Sequence, residues 1–111
     1  MTNDEYQNFV YELANHKTSQ LSSQFTHMLL GIVSEAGELA DAAKKAVGYG
    51  QYVDMDNVVE ELGDLLFYLT GMAEYCGYTL EDLMEDNTDK LKKRYPNGYT
   101  DKDAIERKDK V

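Results

Sequence analysis

The chain has one cysteine, one proline and no tryptophan in 111 residues, and its 11 Lys and Arg are outnumbered by 21 Asp and Glu. A lone Cys76 excludes an internal disulfide, and its apolar surroundings read as a small core position. No apolar run is long enough to span a membrane, and the start Met1-Thr2-Asn3-Asp4-Glu5 lacks the basic segment of a secretory signal. A cytoplasmic protein is expected. The formal net charge of −10 argues against a broad contact with a nucleic-acid backbone, which needs Lys and Arg in a patch. Small anionic substrates stay open, because they need only a few local cations and a bound metal.

What is present fits a single domain over residues 1–111. Helical periodicity runs through most of the chain, and no segment reads as a strand. Residues 4–15 form a first helix, with Tyr6, Phe9, Val10 and Leu13 at helical spacing. Thr18, Ser19, Ser22 and Ser23 make a polar break. A second helix over 24–47 carries Leu29, Ile32, Val33, Ala36, Leu39, Ala40, Ala43 and Val47 on one stripe and stops at Gly48-Tyr49-Gly50. Asp54 or Asp56 caps a third helix that runs to about Gly77, with Val58, Leu62, Leu65, Leu66, Leu69, Met72, Ala73 and Cys76 inward. Thr79-Leu80-Glu81-Asp82 resembles a capping box and opens a fourth helix to Arg94. Pro96 and Gly98 end it, and Thr100 caps a short, weakly packed last helix. The fold class expected is all-α: four main helices in a bundle, plus a short C-terminal helix.

The acids carry the chemistry. Glu35-Ala36-Gly37-Glu38-Leu39 recurs 26 positions later as Glu61-Leu62-Gly63-Asp64-Leu65, each inside an apolar-periodic segment. Two carboxylates three residues apart share a helix face, so two such helices side by side converge four carboxylates on a small volume. Like charges at that range raise one another's pKa and cost stability. A chain that concentrates them usually holds a cation, and an all-oxygen ligand set favours a hard one such as Mg²⁺, with Mn²⁺ as a substitute. At about 100° per residue, Glu35 with Glu38 and Glu61 with Asp64 fall beside the apolar stripes, at the margin of a bundle. Gly37 and Gly63 each cost about 1 kcal/mol inside a helix, which points to close approach by a backbone or a ligand. The isolated His16 and His27 read as surface or core-edge residues.

These residues resemble the MazG-like nucleotide pyrophosphohydrolases of the all-α NTP pyrophosphatase superfamily. Members carry Glu-x-x-Glu on one helix and Glu-x-x-Asp on the next, matched by Glu35, Glu38, Glu61 and Asp64. A third piece, Asn87-Thr88-Asp89-Lys90-Leu91-Lys92-Lys93-Arg94-Tyr95-Pro96-Asn97-Gly98-Tyr99, is similar to the Asn-x-x-Lys-Leu-x-x-Arg-Tyr-Pro-x-Gly-aromatic stretch of small members. The resemblance implies Mg²⁺-dependent hydrolysis of a nucleoside or deoxynucleoside triphosphate between the α and β phosphates, giving the monophosphate and pyrophosphate. It implies metal ligation by Glu35, Glu38, Glu61 and Asp64, with Glu38 also the general base. Asn87, Lys90 and Arg94, a turn apart on one helix, then hold phosphate oxygens, and Tyr68 takes an aromatic position against the nucleoside.

The chain departs from the pattern where many members have two consecutive acids, because Ser34 occupies the earlier position. With no Trp to stack on the base, recognition falls to Phe25, Tyr49, Tyr52 or Tyr68. A di-iron carboxylate bundle is disfavoured, since no Glu has a His three residues on. The other competing reading is a non-enzymatic acidic interaction protein, a nucleic-acid mimic or partner-binding module. It predicts acids along one long surface rather than in a cluster. Finally, the apolar stripes are wider than a chain of this size can cover, so a homodimer or homotetramer is expected, with Phe67 and Tyr75 as interface candidates.

Overall fold

The computed structural model describes residues 1–15 and 21–110; Thr18, Ser19 and His16 lie outside them. The described residues form five α-helices, α1 (Asn3–Asn15), α2 (Leu21–Gly48), α3 (Met55–Tyr75), α4 (Leu80–Arg94) and α5 (Asp101–Glu106), followed by one 3-10 turn at Lys108–Lys110. No strand occurs among them, so the all-α expectation holds. The second helix starts three residues earlier than its apolar pattern, taking Ser22 and Ser23 into its first turn instead of the expected break.

Local chemistry sets the ends. The Asp54 side chain accepts from Asn57 N at 3.2 Å and so caps α3. At the other end of α3, Gly77 adopts φ +76, Tyr78 N donates to Ala73 O and Gly77 N to Glu74 O, each at 2.9 Å. That is a Schellman termination, and the left-handed residue it needs is a glycine. Thr79 and Asp82 exchange hydrogen bonds of 3.0 Å, completing the expected capping box of α4. Another free N–H of that first turn, Leu80 N, donates to Gln7 Oε1 of α1 at 2.7 Å, which ties the first helix to the fourth. Thr100 caps α5 by accepting from Asp103 N.

The helices pack as a hairpin of α2 against α3, with α1 set mainly on α3, and α4 meeting the C-terminal 3-10 turn most extensively and α1, α3 and α5 less so. The tightest seam is α2 on α3. A Cβ at Gly31 would run into the Tyr68 ring, and one at Gly71 into the Met28 side chain. These, rather than Gly37 and Gly63, are the glycines that the packing of this chain demands. A Cβ at either Gly37 or Gly63 would meet nothing within 4 Å.

The buried apolar side chains are few: Val10, Met28, Ala42 and Ala73, joined by Gln7, Gln24 and Thr70. On α2 the covered face runs Gln24, Met28, Gly31, Glu35, Leu39, Ala42, Ala46. The expected stripe points elsewhere: Leu29, Val33, Ala36, Ala40, Ala43 and Val47 are all exposed. The same holds on α3 for Leu62, Leu66 and Leu69, and Cys76 is exposed rather than in the core. The reason is coverage. In one chain α2 meets a single long neighbour, so only one of its faces is buried.

Candidate metal centre and adjoining pocket

The α2–α3 seam carries three of the four predicted ligands to one place. Carboxylate oxygens of Glu35, Glu61 and Asp64 all lie within 4.8 Å of one another. Glu35 and Glu61 are half-buried and Asp64 is exposed, so the cluster opens to solvent on one side. Glu61 Oε2 is shut off from solvent with no hydrogen-bond partner. Its carboxyl is pushed up to about 7, first by contact with Glu35, which becomes a hydrogen bond only when a proton is shared, then by burial, then by the charges of Glu35, Glu38 and Asp64.

The donor set fits a hard divalent cation. Two oxygens on opposite sides of a Mg²⁺ at about 2.1 Å each stand about 4.2 Å apart, so the observed spread needs only a small closure. The partnerless Glu61 oxygen, shut off from solvent beside an all-oxygen cluster, is a polar group that a divalent cation would satisfy. Among the described residues this is the one group of three or more possible ligands that converges so closely.

Glu38 stands one turn beyond Glu35 but apart from the three. It is exposed and lines a cleft of roughly 390 Å³ with Asp41, Lys45, Gln51, Asp54 and Asn57, beside the α2–α3 connection. Lys45 pairs with Asp41 there at 3.0 Å. Glu38 still acts on the cluster through its charge, as the raised Glu61 shows.

Tyr68 lies beside the acids, in one pocket lining with Glu35 and Asp64. Its ring packs edge-on against Phe67 at 5.1 Å and against His27 at 5.9 Å, over the space left by Gly31. With Phe67 and with Tyr6, Phe9 and Leu13 of α1 it walls a pocket of roughly 450 Å³, whose polar edge is Glu35 and Asp64 and whose side is Gly63. The three α1 residues were legible only as an ordinary helical stripe. Of the other aromatic candidates, Phe25 packs on Tyr75 at 5.1 Å, Tyr49 lies under Lys44, and Tyr52 is wholly exposed at the Glu38 cleft. The suggested interface residues Phe67 and Tyr75 therefore both make contacts within the chain.

The phosphate candidates divide. Arg94 is committed to Asp109, with Nε and Nη2 donating to its two carboxylate oxygens at 2.9 and 3.2 Å. Arg107 donates to the same carboxylate, whose side chain is only 1% exposed. Arg94 and then Arg107 hold Asp109 well below the usual carboxylate range. The C-terminal end is thus pinned to α4 by charge, although α5 itself buries nothing. Asn87 and Lys90 are exposed on α4 and line neither the cleft nor the pocket.

A helical hairpin that brings Glu35 of a Glu-x-x-Glu pair against Glu61 and Asp64 of a Glu-x-x-Asp pair defines an all-α protein with a carboxylate cluster at its α2–α3 seam. Residues 23–99 match the MazG nucleotide pyrophosphohydrolase domain, and the chain belongs to that family. It is also similar to the Gene 37 protein of Mycobacterium phage L5, at 30% identity over 77 residues, 66% of this chain and 68% of that protein. No solved structure matches.

Proposed function

We propose that this chain is a Mg²⁺-dependent nucleoside or deoxynucleoside triphosphate pyrophosphohydrolase, cleaving between the α and β phosphates to give the monophosphate and pyrophosphate. The observation that carries this is the convergence of Glu35, Glu61 and Asp64 around an orphaned Glu61 oxygen, in a chain of this family. Those three residues, with Glu38 swinging in from its turn, hold the cation. When bound, Mg²⁺ or Mn²⁺ offsets the phosphate charge and lowers the pKa of water.

The protein's own groups do the rest. Without a cation the four acids repel a polyphosphate, so substrate and metal enter together. Glu38, exposed and outside the tight cluster, is the carboxylate placed to accept a proton from the attacking water. Tyr68 braces the nucleoside beside Glu35 and Asp64. Lys90 and Asn87, which line neither the cleft nor the pocket, are assigned to the phosphates on the family resemblance of their motif; Lys90 enters no ion pair among the described residues, whereas Arg94 is paired with Asp109.

A homo-oligomer, dimer or tetramer, completes the reading. The chain exposes 8105 Å², against roughly 6,200 Å² for a folded monomer of its mass. The excess is larger than the roughly 800 Å² per partner of a standard interface. The exposed stripes of α2 and α3 are the surface a second copy covers. No helix among the described residues is long and apolar enough to cross a membrane, which suits a cytoplasmic enzyme.

The test is pyrophosphate release from the common nucleoside triphosphates with Mg²⁺, with and without a chelator. Release that stops with chelator and in Glu61→Gln is expected. Absence of release from every nucleotide at saturating Mg²⁺ would refute the activity.

A further inference from the structure

The pocket beside the acids is built on one side by a helix that the family match does not reach. The match covers residues 23–99, and α1 spans Asn3–Asn15. Yet Tyr6, Phe9 and Leu13 of α1 form the wall facing Phe67 and Tyr68. Phe9 is 54% exposed and Leu13 49%, a large apolar area for a helix that has Val10 fully buried and Gln7 anchored to α4. This open pocket of roughly 450 Å³ is within the usual range for a small-molecule site.

The chemistry of the walls selects what enters. No cation lines this pocket, and its polar edge is Glu35 and Asp64, so a phosphate is repelled while a neutral planar ring is not. Aromatic side chains hold bases by their faces, whichever base is present, and the Tyr6 hydroxyl adds one polar handle at the rim. Gly63 supplies a second, independent sign. A glycine inside a helix is disfavoured, no described residue beyond its own stretch of helix lies within 4 Å of where its Cβ would stand, and Gly63 lines the pocket. The missing side chain leaves room for an occupant that is not the protein itself.

We propose that α1 is the base-reading wall of the site: the nucleobase enters between Tyr6 and Phe9 of α1 and Phe67 and Tyr68 of α3, beside Gly63, with the phosphates outside the pocket, toward the cation that Glu35 and Asp64 would hold. This rests on the nucleotide reading above. Base preference is then set by the first helix, outside the segment that marks the family, and Tyr6 is the residue able to discriminate by hydrogen bonding.

The experiment measures binding of the four deoxynucleoside monophosphates at saturating Mg²⁺ by calorimetry, alongside Mn²⁺ binding without nucleotide and mass by light scattering. Phe9→Ala and Tyr6→Ala are expected to weaken nucleotide binding on the order of tenfold and to leave Mn²⁺ binding and mass unchanged. Tyr6→Phe is expected to alter the ranking of the four bases. Gly63→Ala is expected to raise the melting temperature while weakening nucleotide binding, a pair of opposite signs that a structural role does not produce. Full affinity in Phe9→Ala and Tyr6→Ala, with the parent binding both ligands, overturns this inference alone. A change of mass in Phe9→Ala without loss of affinity does so too, because the wall is then a contact between copies. A parent that binds neither Mn²⁺ nor nucleotide overturns the nucleotide reading itself.

Discussion

At the scale of single residues, Glu61 shows that a cluster of carboxylates is kept at a cost. Its folded pKa of about 7 lies above the ordinary value of 4.5, so between those values the folded chain binds more protons than the unfolded one. Stability of the metal-free protein therefore falls as pH rises through that window. Glu61→Gln carries no charge at any pH. It is expected to melt higher than the parent at pH 8 without metal, to melt like it at pH 5, and to lose Mg²⁺-dependent turnover; thermal melts at the two pH values and the pyrophosphate assay check this. The glycines give a second contrast. Gly31→Ala drives a methyl into the Tyr68 ring and is expected to cost about 1–3 kcal/mol, together with nucleotide affinity. Gly37→Ala, in open space, is expected to stabilise by about 1 kcal/mol in denaturant titrations.

At the scale of elements, α4 does two jobs that its basic run does not distinguish by itself. Arg94 pins the C-terminal turn through Asp109, while Lys90 one turn earlier is exposed. Asp109→Asn is accordingly expected to lower the melting temperature by several degrees. In the parent that contribution is fully present above the ordinary carboxylate value of 3.8 and is lost as pH falls toward the lowered folded value, so the difference between the two proteins shrinks in acid. Lys90→Ala is expected to leave the melt unchanged and to reduce kcat/KM about tenfold or more, the worth of a charge-assisted contact. Equal kcat/KM in the variant would make that lysine a solvated helix end. Within the hairpin, the acids were legible because a three-residue spacing puts them on one face whatever surrounds them. The direction of the α2 stripe was not, because periodicity marks two apolar faces of a helix without saying which neighbour takes which.

At the scale of the molecule, the chain is more open than its length warrants. Its radius of gyration is 17.1 Å, against about 13 Å for a compact domain of this size, and Leu30 and Val33 are each 62% exposed on α2. Light scattering at micromolar concentration is expected to give at least twice the 12.6 kDa of one chain. Val33→Glu is expected to shift it toward one chain, because a carboxylate cannot be buried unpaired at a contact between copies. A parent of one-chain mass with full activity would remove the oligomer from the proposal.

The sequence by itself determined the all-α class, the caps at Asp54, Thr79 and Thr100, the family, and the acid pairs, since each depends on neighbours within a turn or two. Tertiary structure decided the rest. It separated Glu38 from Glu35, Glu61 and Asp64, although both pairs have the same spacing, because the face of α2 covered by its neighbours runs through Gly31, Glu35 and Leu39 and leaves Glu38 exposed. It gave Arg94 a carboxylate partner, Asp109, fifteen residues further along the chain. It also turned part of the α1 stripe into a pocket wall, because which apolar residues are buried and which line a pocket depends on what lies opposite them, and that is a property of packing rather than of order along the chain.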